Sequence, residues 1–305
     1  MRRTDITPEQ PVLVDVVTEP VAPPAQVRRT RMKLLRHMSP MSKIGLVVVG
    51  VIVLLALAAP LLAPFDPLAP SASRLAGPSG THFFGTDLYG RDVLSRMLIG
   101  ARVSVMVGFV VTLSALVIGG TLGCVAGFVG GAADAVVSRI TEVLLAVPGV
   151  LLAIAIVATL GSGVWNVCIA LTLGQAPIMI RVVRSSTLAL RERPFVRAAH
   201  AVGATRLRIL FRHIAPYVLG VAAVQGTFVF AHAILYEAAL SFLGIGVKPP
   251  DPTWGNMISE SRAFLSVQPW NAIFPGLAIT LLVLGVNFLG DGLRDLVDPE
   301  NQERS

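Results

Sequence analysis

The sequence predicts an all-α polytopic membrane protein with six transmembrane helices and both termini on the cytoplasmic side. Three observations predict it. Of the 305 residues, 54% are hydrophobic and only 14% charged, with a mean hydropathy of +0.73, a composition that belongs to membrane-spanning chains. Apolar runs of about twenty residues recur along the chain, each long enough to cross a hydrocarbon layer of roughly 30 Å. Of 25 Lys and Arg, eight lie in residues 1–43 and eight in residues 181–213, a bias that places both segments inside. The net charge of +7 is therefore a topology signal. It does not mark a nucleic-acid surface, because no basic patch is interleaved with aromatics.

Residues 1–43 read as a disordered basic cytoplasmic tail, rich in Pro, Val and charge without helical periodicity. No small-residue cleavage site follows the first apolar run. The cluster Arg28, Arg29, Arg31, Lys33, Arg36 and Lys43 anchors the chain at anionic headgroups. The first transmembrane helix occupies 44–64, running from Ile44 to Leu62 with Pro60 and Pro64 as its stop. Residues 65–102 form an outer loop with an interfacial helix. In that helix Val93, Met97 and Gly100 oppose Arg91, Ser95 and Arg102. Arg91 falls between Asp87 and Asp92, so this turn reads as internally paired, not as a cation site.

The core, 103–290, supplies five more spans. The second, 103–129, carries Gly119, Gly123, Gly127 and then Gly131 every fourth residue, a ladder that admits another helix closely. An inner turn, 130–142, precedes a third span at 143–160, kinked by Pro148. The fourth, 164–183, carries Gln175 and Pro177. The fifth is about 217–240 and the sixth 273–290, leaving an acidic inner tail at 291–305. Cys124 and Cys168 fall within spans, where they serve as packing residues without a disulfide framework or zinc site.

Between the fourth and fifth spans lies a polar stretch, Phe195 to Pro216. Pro194 suits a first helical turn, and Phe195, Ala198, Ala199 and Val202 recur at i, i+3, i+4 and i+7. Gly203 follows where a left-handed residue ends a helix. A second helix sets Leu207, Leu210, Phe211 and Ile214 against Thr205, Arg208 and Arg212, until Pro216 ends it. The pattern is a helix–Gly–helix hairpin at the cytoplasmic face.

Polar groups inside spans are expensive and mark cavities or pairs. That makes Gln225, His232, Glu237 and Asn287 candidate pathway-lining residues. Glu237 has two readings: a cavity-lining or paired carboxylate, or a group wetted at the outer headgroups. Outside, the Gly- and Pro-rich run from Leu240 to Gly255 makes a fixed turn, and Trp254 and Trp270 suit an interfacial belt. None of the three lysines follows a Gly, so no GxxxxGK[ST] loop exists. With no HExxH helix, Gly-x-Ser-x-Gly elbow or CxxC pair either, the expectation is no catalytic site, no metal and no cofactor.

Ala198-Ala199-x3-Gly203, with His213-Ile214-Ala215-Pro216 after nine intervening residues, resembles the EAA loop of ABC-importer permeases. Arg197 stands where that motif has its acidic residue. The blocks THFFGTDLYGRDVLSRMLIGARVSV, LSFLGIGVKPPDPTWGNMISESR and FPGLAITLLVLGVNFLGDGLRDLVDP resemble the C-type permease subunit of dipeptide, oligopeptide and nickel ABC importers. The resemblance covers nearly all of the chain from residue 80 and implies a type I importer permease fold in a bacterial cytoplasmic membrane.

The implied partners are a homologous B-type permease, two ABC ATPase subunits inside, an external substrate-binding protein, and membrane lipid. ATP hydrolysis would reside in the ATPases, with di- and oligopeptides as cargo or, alternatively, nickel chelates or glutathione. The resemblance gives Phe195, Arg197, Ala198, Ala199, Val202, Gly203 and Arg206 an ATPase-coupling role. It turns Leu243, Gly244, Pro250 and Trp254 toward the binding protein. The rival reading, an autonomous secondary transporter, would rest on His232 and Glu237 and lacks inverted-repeat symmetry.

Overall fold

The computed structural model describes residues 38–297. The expectations for 1–37 and 298–305 lie outside the described residues. Among those described, the structure is helical: α1 (Pro40–Leu62), α2 (Val93–Val129), α3 (Gly131–Leu145), α4 (Gly149–Leu160), α5 (Val164–Arg191), α6 (Pro194–Ala201), α7 (Arg206–Ile209), α8 (Ala215–Phe242), α9 (Trp254–Ser261) and α10 (Trp270–Val297). Five spans are long and apolar enough to cross a membrane. A sixth crossing, needed to return the chain inside, requires α3 and α4 to act together across an 86° bend.

Several boundaries differ from the sequence expectation, each for a physical reason. Helix α1 begins at Pro40, where the Ser39 side chain accepts from the Ser42 N–H. Pro60 lies inside its last turn, where losing one ladder bond is tolerable, and the helix stops just before Pro64. The interfacial helix is instead the start of α2, whose 37 residues span about 55 Å. Its first turns are buried, with Val93 and Arg96 each 1% exposed, so they cannot lie on a headgroup surface. Asp92 caps this helix, accepting from the Ser95 N–H and Oγ, both at 2.8 Å.

The inner turn at 130–142 is mostly helix α3. Gly130 and Gly131 take φ of 71° and 60° to start it. Asp134 sits in its first turn, where the helix dipole favours a carboxylate. Pro148 marks the break before α4, the helix of the third span, which has only 12 residues.

The core forms where α2 lies against α5. A Cβ on Gly119 would stand 2.6 Å from Met179 Cβ, on Gly123 2.7 Å from the Ile180 carbonyl, and on Gly127 2.8 Å from the Arg184 carbonyl. Three rungs of the ladder thus bring α2 into backbone contact with α5. Gly131 meets nothing and serves the turn instead. On the other side Gly45 lets α1 rest on Gly285 to Leu289 of α10.

Candidate functional site

The cytoplasmic hairpin begins at α6. Its end is a full Schellman motif: the Gly203 N–H donates to His200 O and the Ala204 N–H to Ala199 O, both at 3.0 Å. Gly203 has φ of +81°. The expected left-handed glycine therefore sets the angle between the two arms.

The second arm departs from expectation. Pro216 does not end it; α7, a π-helical segment from Leu210 to Ile214 and α8 run on as one span from Arg206 to Phe242. Proline offers no N–H and crowds the preceding carbonyl. The wider π turn accommodates it. The hairpin is thus continuous with the fifth membrane span.

Burial also shifts the faces. Val196 and Ala199 are the buried positions of α6, whereas Val202 is 85% exposed and Ala198 is exposed. In the second arm Ile209 and Ile214 are buried, leaving Leu207 and Phe211 68% and 70% exposed. The stripe of Phe195, Ala198, Ala199 and Val202 nonetheless shares one feature. Together with Arg208, Arg212, His213 and Tyr217 it lines an open cleft of about 770 Å³ in the hairpin's elbow. Phe195 leans on the Tyr217 ring with centroids 5.9 Å apart.

Arg197 and Arg206 point outward and are exposed. Arg197 Nη2 donates to Glu192 Oε2 at 3.2 Å, and Arg191 Nε to Oε1 at 3.4 Å. Arg197 first, then Arg191, hold the Glu192 carboxyl below the usual range. Behind the hairpin, Arg184 on α5 makes a two-pronged pair with Asp134 on α3, its Nη2 2.8 Å from Oδ2. Arg191 Nη1 reaches the Gly127 and Phe128 carbonyls at the end of α2. Neither tie is legible in the sequence beyond one signal, an acid opening a cytoplasmic helix.

Of the pathway candidates, Gln225 and Asn287 are half-buried and His232 is exposed. His232 Nδ1 lies 2.9 Å from Phe228 O, with its ring 5.8 Å from Tyr236. Glu237 differs from them: it is 0% exposed. Ser241 Oγ donates to its Oε1 at 2.8 Å and Ser104 Oγ to its Oε2 at 3.3 Å. The wetted reading is therefore replaced by a buried carboxyl joining α8 to α2.

On the outer face, Leu243 and Gly244 are exposed and Pro250 is exposed. A second Schellman motif forms at Gly244, φ +80°, with the Ile245 N–H donating to Leu240 O. Trp254 is not available to a partner. It is 2% exposed, and its Nε1–H donates to Met97 O at 3.1 Å. An indole that finds a backbone acceptor between packed helices has no need of the interfacial belt.

Around it, Arg91 joins Asp87 (2.6 Å) and Glu260 (2.7 Å), and Arg96 joins the same Glu260 at 2.9 Å. Asn271 Nδ2 donates to Thr86 O and Gln268 Nε2 to Leu75 O. The outer loop is pinned over the ends of α2, α9 and α10. The Asp87–Arg91 pair was legible; Asp92 instead caps α2, and its Oδ1 accepts from His82 Nδ1 at 2.9 Å.

Residues 119–302 match the family described as binding-protein-dependent transport system inner membrane component. Residues 26–78 match the N-terminal transmembrane domain of oligopeptide transport permease C. The chain is 45% identical over 290 residues to the dipeptide transport system permease protein DppC of Alkalihalophilus pseudofirmus, covering 92% of this chain and 95% of that protein. It is 46% identical over 224 residues to the glutathione transport system permease protein GsiD of Pectobacterium atrosepticum, covering 73% and 74%. Among solved structures, a chain of the inward-facing MetNI methionine ABC transporter superposes with a TM-score of 0.55 at 21% identity. That match covers 68% of this chain and 96% of the other; at such identity it speaks for the fold alone.

Proposed function

Because this chain belongs to the family of binding-protein-dependent transport system inner membrane components, we propose that it moves di- and oligopeptides across the inner membrane with a homologous B-type permease. It is a permease subunit of an ATP-driven ABC importer with the type I fold, and hydrolysis belongs to its ATPase partners. The hairpin is the observation that carries the coupling role. Its first arm is short and ends on a fixed left-handed turn, while its second arm is continuous with α8. A push on α6 therefore has a rigid route into a membrane span.

One of the two ABC ATPase subunits docks on the exposed side of this hairpin, where Arg197, Ala198 and Val202 on the first arm and Arg206 on the second are presented. Phe195, Ala199 and Gly203 set that side's position. The external binding protein delivers cargo at Leu243, Gly244 and Pro250. Gln225, His232 and Asn287 border the path. Access alternates when the helices pass between two packings of similar energy. The relatives' own names favour peptides over nickel: one is a dipeptide permease and another a glutathione permease.

Reconstitution of the complete importer in proteoliposomes tests the cargo. Uptake of a labelled dipeptide that needs ATP and the binding protein, and that unlabelled oligopeptide competes away, is the expected result. Competition by glutathione but not by peptides would assign the other cargo. Uptake by this chain without ATPase subunits would contradict the reading altogether.

A further inference from the structure

Glu237 stands inside a membrane span, about 8 Å short of the outer end of α8 at Phe242, and is 0% exposed. Among the described residues no Lys, Arg or His pairs with it. A carboxyl in that setting is expensive unless each oxygen finds a donor. Both oxygens do, and the two donors tie it to different parts of the molecule.

Oε1 accepts from Ser241 Oγ at 2.8 Å. The same hydroxyl oxygen accepts from the Val247 N–H at 3.2 Å, in the turn that follows α8. That turn lies directly on the hydroxyl, since a Cβ on Gly246 would stand 2.3 Å from Ser241 Oγ. Gly246 and Val247 are buried, while Leu243, Gly244 and Lys248 to Pro250 on either side are exposed. The turn therefore has a floor on Ser241 and an outward rim. The start of α9 closes over the same patch: a Cβ on Gly255 would stand 2.6 Å from Ala238 Cα and 2.9 Å from Ser241 Cβ. Oε2 serves α2 instead, accepting from Ser104 Oγ at 3.3 Å, and Ser104 is 0% exposed. One carboxyl thus holds the outer turn with one oxygen and α2 with the other. A leucine in its place would fill the space and make neither tie.

We propose that Glu237 is a positioning residue for cargo delivery at the outer face. Through Ser241 it fixes the turn that the binding protein meets, and through Ser104 it carries displacement of that turn to α2. The proposal rests on the assignment of Leu243, Gly244 and Pro250 to the binding protein. Contact at the rim moves Val247 and Ser241 together. Buried hydrogen bonds, unscreened by water, pass that movement to the outer ends of α8 and α2. Two substitutions separate the halves of this clasp. Ser241→Ala cuts the link to the turn and keeps Ser104; Ser104→Ala does the reverse.

The test uses the complete importer in nanodiscs, with the external binding protein titrated against it in the presence of dialanine. Stimulated ATP hydrolysis gives a half-saturating concentration and a maximal rate, and hydrogen exchange reads the amides of residues 243–250. The loss of one buried hydrogen bond corresponds to about a ten-fold change. Ser241→Ala and Glu237→Leu should each raise the half-saturating concentration about ten-fold, with faster exchange at Val247. Glu237→Gln, whose amide still accepts from Ser241 and donates to Ser104, should keep both readouts near wild type. Ser104→Ala should leave the half-saturating concentration and the exchange unchanged and lower the maximal stimulated rate.

Unchanged exchange in Ser241→Ala and Glu237→Leu overturns the proposal and leaves the docking of the binding protein standing. Faster exchange with an unchanged half-saturating concentration contradicts the docking at this turn, and the proposal falls with it. A Glu237→Gln importer that behaves like Glu237→Leu overturns the hydrogen-bonded clasp. A maximal rate in Ser104→Ala equal to wild type overturns the link to α2.

Discussion

The contact between α2 and α5 is tight enough to give a quantitative prediction. Gly123 faces α5, and a methyl there would stand 2.7 Å from the Ile180 carbonyl oxygen and 2.9 Å from Val183 Cβ. Comfortable contact between such atoms begins near about 3.5 Å. Neither neighbour is the free end of a flexible chain, so the helices themselves must separate by several tenths of an ångström. In a bilayer no hydrophobic force pushes them back, and association depends on close packing. Overpacking of this kind costs about 1–3 kcal/mol.

Gly120, three residues earlier on the same helix, meets nothing within 4 Å. Alanine there gains up to about 1 kcal/mol of helix propensity without a clash. The assay is the thermal unfolding midpoint of the purified complex in one detergent. Gly123→Ala should lower it by several degrees, and Gly120→Ala should leave it level or raise it. Equal midpoints for the two variants would refute the backbone-contact account of the ladder.

Three further outcomes follow from the site. At Gly203 a Cβ meets open space, so Gly203→Ala pays only the left-handed backbone strain, about 1–2 kcal/mol. Uptake per ATP hydrolysed should fall in Gly203→Leu and less in Gly203→Asn, while membrane insertion stays normal; unchanged uptake in Gly203→Leu would remove the lever. Glu237→Gln can still accept from Ser241 and donate to Ser104, so its melting midpoint should stay near wild type. Glu237→Leu strands both hydroxyls at about 1–3 kcal/mol each, and equal midpoints for the two variants would contradict the buried pairing. Trp254→Phe removes the indole donor to Met97 O, costing about 1 kcal/mol or more. Because the side chain is buried, affinity for the binding protein should not change, and a large loss of affinity would return Trp254 to the surface.

The spans and the hairpin's turn were legible because their signals are local. Twenty-residue apolar runs, the glycine at 203 and the spacing of 119, 123 and 127 each encode one physical requirement at one place. What escaped depended on distant partners. The Arg91 and Arg96 pairs with Glu260 close over sequence separations of 169 and 164 residues, and those contacts buried the helix start that had looked interfacial. In the eight residues of α6, a stripe at 195, 198, 199 and 202 cannot be told by periodicity from one centred on 196 and 199. Tertiary burial decided between them. Proline at 216 carries a strong stop signal, yet a π turn five residues long relieved it. At 148 the reverse held: a kink was expected, and an 86° break between two helices was found.

On the proposed function, the hairpin meets the ATPase inside while the turn after α8 meets the binding protein outside. In a background with Cys124→Ser and Cys168→Ser, single cysteines at the exposed positions Val202 and Leu243 would carry a short thiol–photoreactive cross-linker in the assembled importer. Val202→Cys should capture an ATPase subunit and Leu243→Cys the binding protein. Capture of the binding protein from position 202, or of an ATPase from position 243, would contradict it.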